Sequence, residues 1–590
     1  MNDPQAFYKK QLVEHGKSLT ALKTKLNASS VLRLLLFLGI ISAVYLSWSQ
    51  TNVLLGILVF GIPLFVLLVV RHQKLKYQRD VIQNLQLQNK TELDVLNHEY
   101  YGLPDGKGYQ DATHAFSQDI DLFGRGSFFQ YCNRTALKSG SDLLAATMLS
   151  NDINNIVQKQ EAIQELSKIP EWRQHFTAVG SLVRTEVDSD TVVRWLGGYR
   201  PFVPLAMHGM SIGFSLLSLL VWASYFLGYV SGYAVFGVFL LGLAITGAFL
   251  PKINQLSAQT TKAQSTLRQY AKLLQLLEQH EFASEVLKSR RNAVATEGNS
   301  SSSILKKFSR VLDALDQRNN LIIGILGNGF LLRDLFVSKS IEDWISSYKE
   351  QIPKWFATIA FFDAYNSLGN YAFNHPNHSF PKIEESNYVL RSKAAAHPLL
   401  KVDIAVANPI SIAKEEFFII TGANMAGKST FLRTVGLQLV MANMGLPVCA
   451  EQASYSPIKL ITSMRTTDSL TNDESYFFSE LKRLKYIIDT IAEEPYFIIL
   501  DEILKGTNST DKAAGSKKFI ERLVGLRATG LIATHDLSLC EVADSLKTVK
   551  NYYFDAQIVN DELFFDYTFK EGVCENMNAS FLLHKMGIVD

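Results

Sequence analysis

Four long apolar runs constrain the fold of this chain more than any other feature of its sequence. The runs cover residues 34–48, 53–70, 210–230 and 233–250. None of them contains a charged side chain, and a helix that crosses a bilayer needs about 20 apolar residues, with about 17 as the lower limit. The first run reaches that length when it is counted from Val31, with Arg33 extending to the headgroups. Short connections pair the runs, which predicts two transmembrane hairpins at residues 31–71 and 201–251.

Basic residues flank both hairpins, whereas the tight turns inside them carry neither Lys nor Arg. The flanking residues are Arg71, Lys74, Lys76 and Arg79 after the first hairpin, and Arg200 and Lys252 around the second. The positive-inside rule then predicts a multi-pass membrane protein with four helices, both termini and every large segment being cytoplasmic. The alternative is that the runs are buried core helices. A further apolar stretch, residues 321–332, is too short to span a bilayer and is typical of a buried helix.

The remaining segments complete a division of the chain into six parts. These are a basic N-terminal segment 1–30, the first hairpin 31–71, a core helical region 72–200, the second hairpin 201–251, a lever and core helical region 252–385, and an α/β ATPase domain 386–590. In the fifth part, apolar residues recur every three or four positions over 252–295, which predicts one long amphipathic helix. From residue 387, short β-rich runs alternate with helices, as in a parallel α/β sheet.

Charge and cysteine content exclude little and add little. The formal net charge is +2, from 58 basic and 56 acidic residues, so the charge of the whole chain gives no argument for a nucleic-acid ligand. The four cysteines are far apart and form no CxxC pair. This spacing argues against both a disulfide framework and a structural zinc site.

A glycine-rich segment in the last third of the chain has the pattern of a phosphate-binding loop. Residues 422–429 fit G-x-x-x-x-G-K-[ST], with an apolar strand before them and a helical pattern after them. The backbone of such a loop and the helix N-terminus bind phosphate, the lysine reaches the β- and γ-phosphates, and the serine ligates Mg²⁺. The predicted nucleotide-binding residues are Gly422, Ala423, Asn424, Met425, Ala426, Gly427, Lys428, Ser429 and Thr430.

Two more apolar strands end in residues suited to ATP hydrolysis. The strand 496–500 runs into Asp501 and Glu502. Asp501 is the expected partner of Ser429 in holding Mg²⁺, and Glu502 is the expected residue that orients or deprotonates the attacking water. The strand 530–534 ends at His535, which is placed to sense the γ-phosphate. Lys428, Glu502 and His535 are therefore the predicted catalytic residues, with ATP as substrate and Mg²⁺ as cofactor.

At these residues the sequence resembles the MutS family of mismatch-repair ATPases. Residues 421–430 resemble T-G-P-N-M-x-G-K-S-T, departing at Ala423, and the Asn424–Met425 pair is more specific than the general loop pattern. Other stretches agree in order: 396–400 with R-H-P-L-L, 406–408 with V-P-N, 468–480 with D-D-L-x-x-G-x-S-T-F-x-x-E, 501–507 with D-E-I-G-R-G-T, and 533–535 with A-T-H. Residues 126–140 and 158–166 resemble the family's core helical domain more weakly.

The resemblance implies an ABC/MutS-type P-loop NTPase domain that follows a mostly helical core carrying the two hairpins. It implies a nucleotide-binding role for His397 and a dimer with composite sites, most simply a homodimer. Thr507, Asn508 and Ser509 are then the residues expected to contact the partner's ATP, although Asn508 stands where the family has Ser. Residues 567–588 fall where the family has dimer-supporting helices. Nothing before residue 100 resembles the mismatch-reading domain with its Phe-x-Glu motif.

Several functions remain open for the load that this ATPase moves. The first is a membrane-coupled motor that acts on a protein or lipid partner. The second keeps DNA as the ligand, bound by basic residues of the lever region. Those residues are Lys262, Arg268, Lys272, Lys288, Arg290 and Arg291. An ABC-type transporter is a third function, but residues 430–496 contain no LSGGQ-type element and the apolar runs contain no charge to line a path. A scaffold without turnover conflicts with the intact Lys428, Asp501 and Glu502.

Overall fold

The chain folds into a helical region up to residue 374 and an α/β domain after it. A computed structural model describes residues 3–182, 187–294, 300–465, 476–559 and 562–575. The helices of the first region are α1 Pro4–Leu46, α2 Thr51–Leu96, α3 Phe128–Cys132, α4 Lys138–Leu149, α5 Ile156–Ser167, α6 Pro170–Gly180, α7 Ser189–Gly198, α8 Met207–Phe226, α9 Gly232–Gln279, α10 Glu285–Asn292, α11 Ser301–Asp316, α12 Leu321–Leu331, α13 Arg333–Tyr348 and α14 Ile352–Asn374. Short 3-10 turns cover Lys107–Tyr109, Gln317–Asn319 and Leu537–Glu541.

Helices α1 and α2 form one antiparallel hairpin that is much longer than its apolar part. With 43 and 46 residues they extend about 65–70 Å at 1.5 Å per residue. None of the residues in the most apolar 18-residue stretch of either helix is buried. The polar N-terminal half of α1 packs against the rest of the helical region, where Tyr8 is fully buried. The boundaries expected at residues 30 and 71 therefore lie inside continuous helices.

Helices α8 and α9 form the second hairpin, and α9 runs far beyond its apolar part. It continues through Pro251 to Gln279, a total of 48 residues. The prediction of a single helix over 252–295 is wrong, because this segment is the second half of α9 followed by the separate helix α10. His280 takes an extended backbone conformation that ends α9. By length and composition alone, α1, α2, α8 and α9 could each cross a membrane.

Helix α12 contradicts the expectation that residues 321–332 form a buried helix. Leu321, Ile322 and Leu326 are 75%, 69% and 50% exposed, and only Asn328 and Gly329 of this helix are buried. An 86° bend separates α12 from α13, and the two together are long and apolar enough to count as a fifth candidate span. The sequence criterion failed because a short apolar helix can be covered by something other than protein.

The helical region is organised around α14, whose residues are buried along almost its whole length. A buried polar network joins α14 to the first hairpin and to the segment before α4. Tyr8 donates to Asn374 at 2.6 Å, Asn374 donates to Glu92 at 2.7 Å, and Arg134 donates to Glu92 at 2.5 Å. Because these residues lie up to 366 positions apart, the network connects the N-terminal helices directly to the core.

Among its described residues, the α/β domain contains three sheets. Its strands are β1 Lys382–Ile383, β2 Tyr388–Ala395, β3 Asn408–Ala413, β4 Phe417–Gly422, β5 Gln452–Tyr455, β6 Lys459–Ser463, β7 Tyr496–Asp501, β8 Thr529–Ala533, β9 Val549–Phe554, β10 Gln557–Val559, β11 Glu562–Phe564 and β12 Phe569–Glu571. Its helices are α15 Lys428–Met444, α16 Tyr476–Glu493, α17 Ser509–Gly525 and α18 Val542–Ser545. The main sheet has the order β12-β9-β4-β8-β7-β6, and all neighbours except β12 and β9 are parallel.

The main sheet is buried on both faces. Alternate residues of a strand point to opposite faces, and Phe418 and Ile420 of β4 belong to one core cluster while Phe417 and Ile419 belong to another. The first cluster continues through α15 into the helical region, so that the two regions share a core. The parallel sheet expected from residue 387 is confirmed, but the mixed sheet β1-β5-β2-β3 beside it was not expected.

Parts of two sequence patterns lie outside the described residues. They are most of the motif at 468–480 and most of the segment 567–588 with its expected dimer-supporting helices. Cys132, Cys540 and Cys574 are buried, and Cys449 is partly exposed. Within the described ranges no group of three or more His, Cys, Asp and Glu side chains could hold a metal ion.

Candidate functional site

The candidate site lies at the carboxyl ends of the parallel strands β4, β7 and β8. In open α/β sheets this edge is where ligands bind. The loop after β4 leads into α15, with Gly427 at φ 101° as the residue before the helix. Met425 also has a positive φ of 68° and its side chain is 77% exposed. A non-glycine residue in this conformation is strained, and such strain concentrates at ligand sites.

Lys428 is the buried cation of this loop. Its side chain is 6% exposed, and its Nζ donates to the carbonyl oxygens of Gly422 at 2.7 Å and Ala423 at 2.9 Å. Burial lowers the pKa of Lys428, while the carboxylates of Asp501 and Glu502 act in the opposite direction. The Nζ atom also lies 3.5 Å from His535 Nε2. A buried ammonium group bound to neutral carbonyls is suited to exchange them for an anionic ligand.

Ser429 and Asp501 face each other across the loop. The Ser429 hydroxyl donates to Asp501 Oδ2 at 2.7 Å. Burial raises the pKa of Asp501, and the hydrogen bond from Ser429 opposes that rise. A carboxylate and a hydroxyl oxygen at this separation form a pair of hard ligands of the kind that Mg²⁺ takes.

Glu502 and His535 form a second polar pair beside the first. Glu502 Oε1 lies 2.8 Å from His535 Nε2, and Lys505 Nζ lies 3.8 Å from Glu502 Oε2. The hydrogen bond with His535 lowers the pKa of Glu502 to about 2, with burial opposing it. Glu502 has a positive φ of 50°, and the backbone N–H of Glu502 donates to Ala533 O at 2.9 Å, which fixes its place beside β8.

These groups line one cavity of about 580 Å³. Of the residues expected from the sequence, those that line it are His397, Asn424, Met425, Ala426, Gly427, Lys428, Ser429, Thr430, Asp501, Glu502 and His535. Gly422 and Ala423 do not line the cavity but hold Lys428 through their carbonyl groups. His397 is half-buried in the cavity wall, where desolvation lowers its pKa to about 4. The structure therefore brings the three separate sequence motifs and His397 together.

The three residues expected to act on a partner's site lie elsewhere. Thr507, Asn508 and Ser509 do not line the cavity of their own chain. Asn508 caps α17 by accepting from Asp511 N at 2.9 Å. Their role toward a partner stays a prediction.

Glu480 holds the backbone segment that follows Glu502. It is 2% exposed and accepts hydrogen bonds from the backbone N–H groups of Leu504 at 2.6 Å and Lys505 at 3.0 Å. Leu504 has a φ of 59°, where the resembled motif has Gly. The Glu480 carboxylate therefore holds a strained segment directly after Glu502. The sequence motif contained Glu480 but gave no indication of this role.

Further lining residues were missed from the sequence, among them Asn408, Lys505, Phe554 and Tyr567. Asn408 donates to Tyr567 O at 2.9 Å and accepts from Phe569 N at 2.7 Å, which holds the segment before β12 against the cavity. Asn408 belongs to the V-x-N match and Lys505 replaces the Arg of D-E-I-G-R-G-T, so both positions carried a signal. Phe554 and Tyr567 carried none, because only the fold brings them to the loop.

This geometry defines an α/β domain with a cleft for an anionic ligand at the carboxyl end of its parallel sheet. Comparison with known proteins narrows the class, since residues 418–584 match MutS domain V. Over this domain the chain is similar to proteins of the MutS family.

Curated relatives are similar to part of the chain. MutS protein homolog 4 of Homo sapiens is 32% identical over 200 residues, which is 32% of this chain and 21% of that protein. The DNA mismatch repair protein MutS of Clostridium tetani is 34% identical over 217 residues, 35% of this chain and 24% of that protein. The corresponding protein of Fervidobacterium nodosum is 28% identical over 244 residues, 40% of this chain and 29% of that protein. The chain thus spans less than a third of the length of these relatives.

Proposed function

We propose that this chain is a membrane-anchored P-loop ATPase of the MutS type that couples ATP hydrolysis to movement of its long helices. The observation that carries the proposal is the convergence of Lys428, Ser429, Asp501 and Glu502 on one cavity at the carboxyl ends of three parallel strands. This arrangement fits a nucleoside triphosphate, since it combines a buried cation, a loop leading into a helix N-terminus, and two carboxylates.

The residues of the site have separate roles in this mechanism. Lys428 exchanges its bonds to the Gly422 and Ala423 carbonyls for the phosphates of ATP. Ser429 and Asp501 are the residues that would hold Mg²⁺, which when bound neutralises phosphate charge. Glu502, kept ionised by His535, orients water for attack on the γ-phosphorus and accepts its proton, with ADP and phosphate as products.

The packing of α15 supports a coupling between the site and the helical region. Gly436 of α15 lies against Ile120, so closely that an added Cβ would come within 2.8 Å of it. At the C-terminal end of α15, Lys159 of α5 donates to Asn443 O at 3.3 Å. Helix α5 packs on α14, which holds Tyr8 and Glu92 of the first hairpin. A shift of α15 on nucleotide binding therefore has a packed route to the long helices.

Membrane anchoring is the second part of the proposal. It is supported by the exposed apolar stretches of α1, α2, α8 and α9, which would be unfavourable in water over such an area. With the basic flanks on the cytoplasmic side, the ATPase domain and both termini lie in the cytoplasm. The third part is a homodimer with composite sites, in which Thr507, Asn508 and Ser509 contact the partner's ATP.

A DNA ligand is the second candidate function, favoured by relatives that carry the name DNA mismatch repair protein MutS. The contacts of the basic lever residues oppose it. Arg268 pairs with Asp313 at 2.6 Å, Lys272 lies 3.8 Å from the ring centroid of Tyr77, and Arg291 donates to Glu278 O. These cations are already engaged within the chain, which favours a protein or lipid load over DNA.

The ATPase rate of the full chain in nanodiscs tests these functions. We expect basal turnover that Lys428→Ala abolishes and that Lys485→Ala leaves unchanged, since Lys485 is an exposed partner of Asp489 far from the cavity. Turnover that survives Lys428→Ala would overturn the site assignment. Stimulation by duplex DNA that fades steeply with salt would favour DNA as the load, and a preference for mismatched DNA would restore a mismatch-reading role.

A further inference from the structure

Helix α12 carries an apolar surface that the proposed membrane hairpins do not explain. Its exposed apolar side chains surround most of the helix: Leu321, Ile322, Ile323, Ile325, Leu326 and Leu331. Such a concentration of exposed aliphatic side chains is unfavourable in water, at about 25 cal/mol for each Å² of apolar surface. Something apolar must cover this helix.

The position of α12 indicates what covers it. Gly329 of α12 lies against Gly242 of α9 so closely that neither has room for a side chain toward the other helix. Phe330 packs between Trp222 of α8 and Phe239 of α9, with ring centroids 5.8 Å and 5.2 Å apart. The exposed face of α12 is thus continuous with the apolar surfaces of α8 and α9 in the middle of that hairpin.

The charged residues at the two ends of α12 meet each other. Arg318, before the helix, pairs with Asp334, after it, at 2.9 Å, and Asp334 is 1% exposed. Arg333 donates to Ala314 O at 2.6 Å on the same side. Because both ends are joined by these contacts, and because 11 residues extend only about 16 Å, α12 does not cross a bilayer of about 30 Å.

The backbone at both ends of α12 is also satisfied internally. Asn320 accepts from the N–H groups of Ile322 and Ile323, and Asn328 Oδ1 accepts from Asp334 N at 2.9 Å. The N–H of Leu332, at φ 49°, donates to Gly327 O where the chain bends into α13. Irregular backbone inside a bilayer must find such partners, since no water is present to supply them.

We propose that α12 is a re-entrant helix, embedded in the acyl chains beside α8 and α9, which enters and leaves the bilayer on the cytoplasmic side. This inference rests on the proposed membrane anchoring and adds a third membrane element. The occupant of its exposed face is lipid hydrocarbon, and the Arg318–Asp334 pair closes the element at the cytoplasmic surface.

Spin-label accessibility in nanodiscs tests the proposal. Ile322→Cys is labelled in a Cys449→Ala chain, since the other three native cysteines are buried. Leu219→Cys, on the exposed face of α8, is the matched lipid control, and Lys485→Cys on α16 is the aqueous control. We expect the label at 322 to match that at 219, with a ratio of oxygen to nickel-chelate collisions several-fold above that at 485.

The outcomes separate the two proposals. A label at 322 that the nickel chelate reaches, while the label at 219 stays protected, would overturn the re-entrant helix and leave the anchoring intact. A label at 322 that neither reagent reaches would mean that protein covers α12, which also overturns it. If the label at 219 is open to the nickel chelate in the nanodisc, the anchoring itself fails.

Discussion

The two regions of this molecule use buried charge in opposite ways. In the α/β domain, Lys428, Asp501 and Glu502 border an open cavity, and Lys428 is held by neutral carbonyls. In the helical region, the buried carboxylates are held by hydrogen bonds from other parts of the chain. Glu92 accepts from Arg134 and Asn374, and Asp363 accepts from the backbone N–H groups of Ala136 and Leu137.

This difference distinguishes a ligand site from a joint, by which we mean a contact that holds distant helices together. Charges around a cavity are arranged for a ligand that supplies the missing partner, so substitutions there should change activity more than stability. Charges matched across distant helices hold the fold, so substitutions there should change stability first. Substitutions can therefore test whether a residue belongs to a ligand site or to a joint, as its contacts indicate.

The largest expected effect belongs to Glu502. Replacing it by Gln removes the carboxylate that His535 keeps ionised, while the shape of the side chain is retained. We expect turnover to fall by about 10²–10⁴-fold, the range typical of a lost general base, with ATP binding retained. Turnover and nucleotide binding are measured on the same preparation. Glu494→Gln, which breaks an exposed pair with Lys459, should change neither. A loss of turnover that is accompanied by a large drop in melting temperature would mean that Glu502 has a structural role.

Asp363 should show the second-largest effect, on stability against pH. Burial raises its pKa from 3.8 to about 7. A raised pKa in the folded state means that the stabilising contribution is complete below pH 4 and is lost as the pH rises through 7. At about 1.4 kcal/mol per pKa unit, the loss approaches about 4 kcal/mol. The difference in unfolding free energy between the wild type and Asp363→Asn should therefore change across pH 4–7. A difference for Asp363→Asn that stays constant across this range would refute the assignment.

The α/β site was largely predictable because its motifs are contiguous. Residues 422–430 carry both the loop and its ligands, and the apolar strand before Asp501 fixes that residue at the sheet edge. Tyr567 could not be found in this way. It reaches the cavity only because Asn408 holds its backbone, 159 positions away in the chain.

The helical region was predictable in content but not in arrangement. Helical periodicity located the second half of α9, but it could not show that Pro251 is accommodated inside a continuous helix. The length rule for spanning helices excluded 321–332 as a span, yet it could not tell burial in protein from another apolar environment. Tyr8, Glu92 and Asp363 each have a hydrogen-bond partner between 226 and 366 positions away in the chain. No local sequence pattern encodes contacts at that distance.

Gly140 tests the joint between α4 and α14 without changing a charge. A Cβ at this position would collide with the Asp363 carboxyl group. We expect Gly140→Ala to destabilise the fold by about 1–3 kcal/mol, as overpacking of a core does, with turnover per folded molecule unchanged. Gly197→Ala, in α7, meets nothing within 4 Å and should be neutral or stabilising by up to about 1 kcal/mol. Urea unfolding of the two variants in detergent measures both values. If Gly140→Ala is as stable as Gly197→Ala, the contact between α4 and α14 can adjust to the added methyl group at little cost.

The smallest effect is expected at Asn508, whose side chain caps a helix and is also predicted to contact a partner's ATP. Within its own chain Asn508 is structural: it caps α17 and donates from Nδ2 to Asp511 Oδ2 at 2.7 Å. Asn508→Ala should cost about 1 kcal/mol through loss of the cap, and Asn508→Ser, which restores the family's residue, only a few tenths. Ser300→Ala removes the cap of α11 in the helical region and supplies a control of similar cost.

Turnover of these three variants, measured well below their melting temperatures, separates the cap from a contact with a partner's ATP. A residue that acts only as a cap would leave turnover unchanged in Asn508→Ala, as in Ser300→Ala, because the folded fraction hardly changes. A residue that also reaches the partner's nucleotide would lower turnover in Asn508→Ala and spare it in Asn508→Ser, since a hydroxyl group can still donate to phosphate. The first result would confine the site to one chain. The second would make Asn508 a structural residue of its own chain and a functional residue of the partner's site.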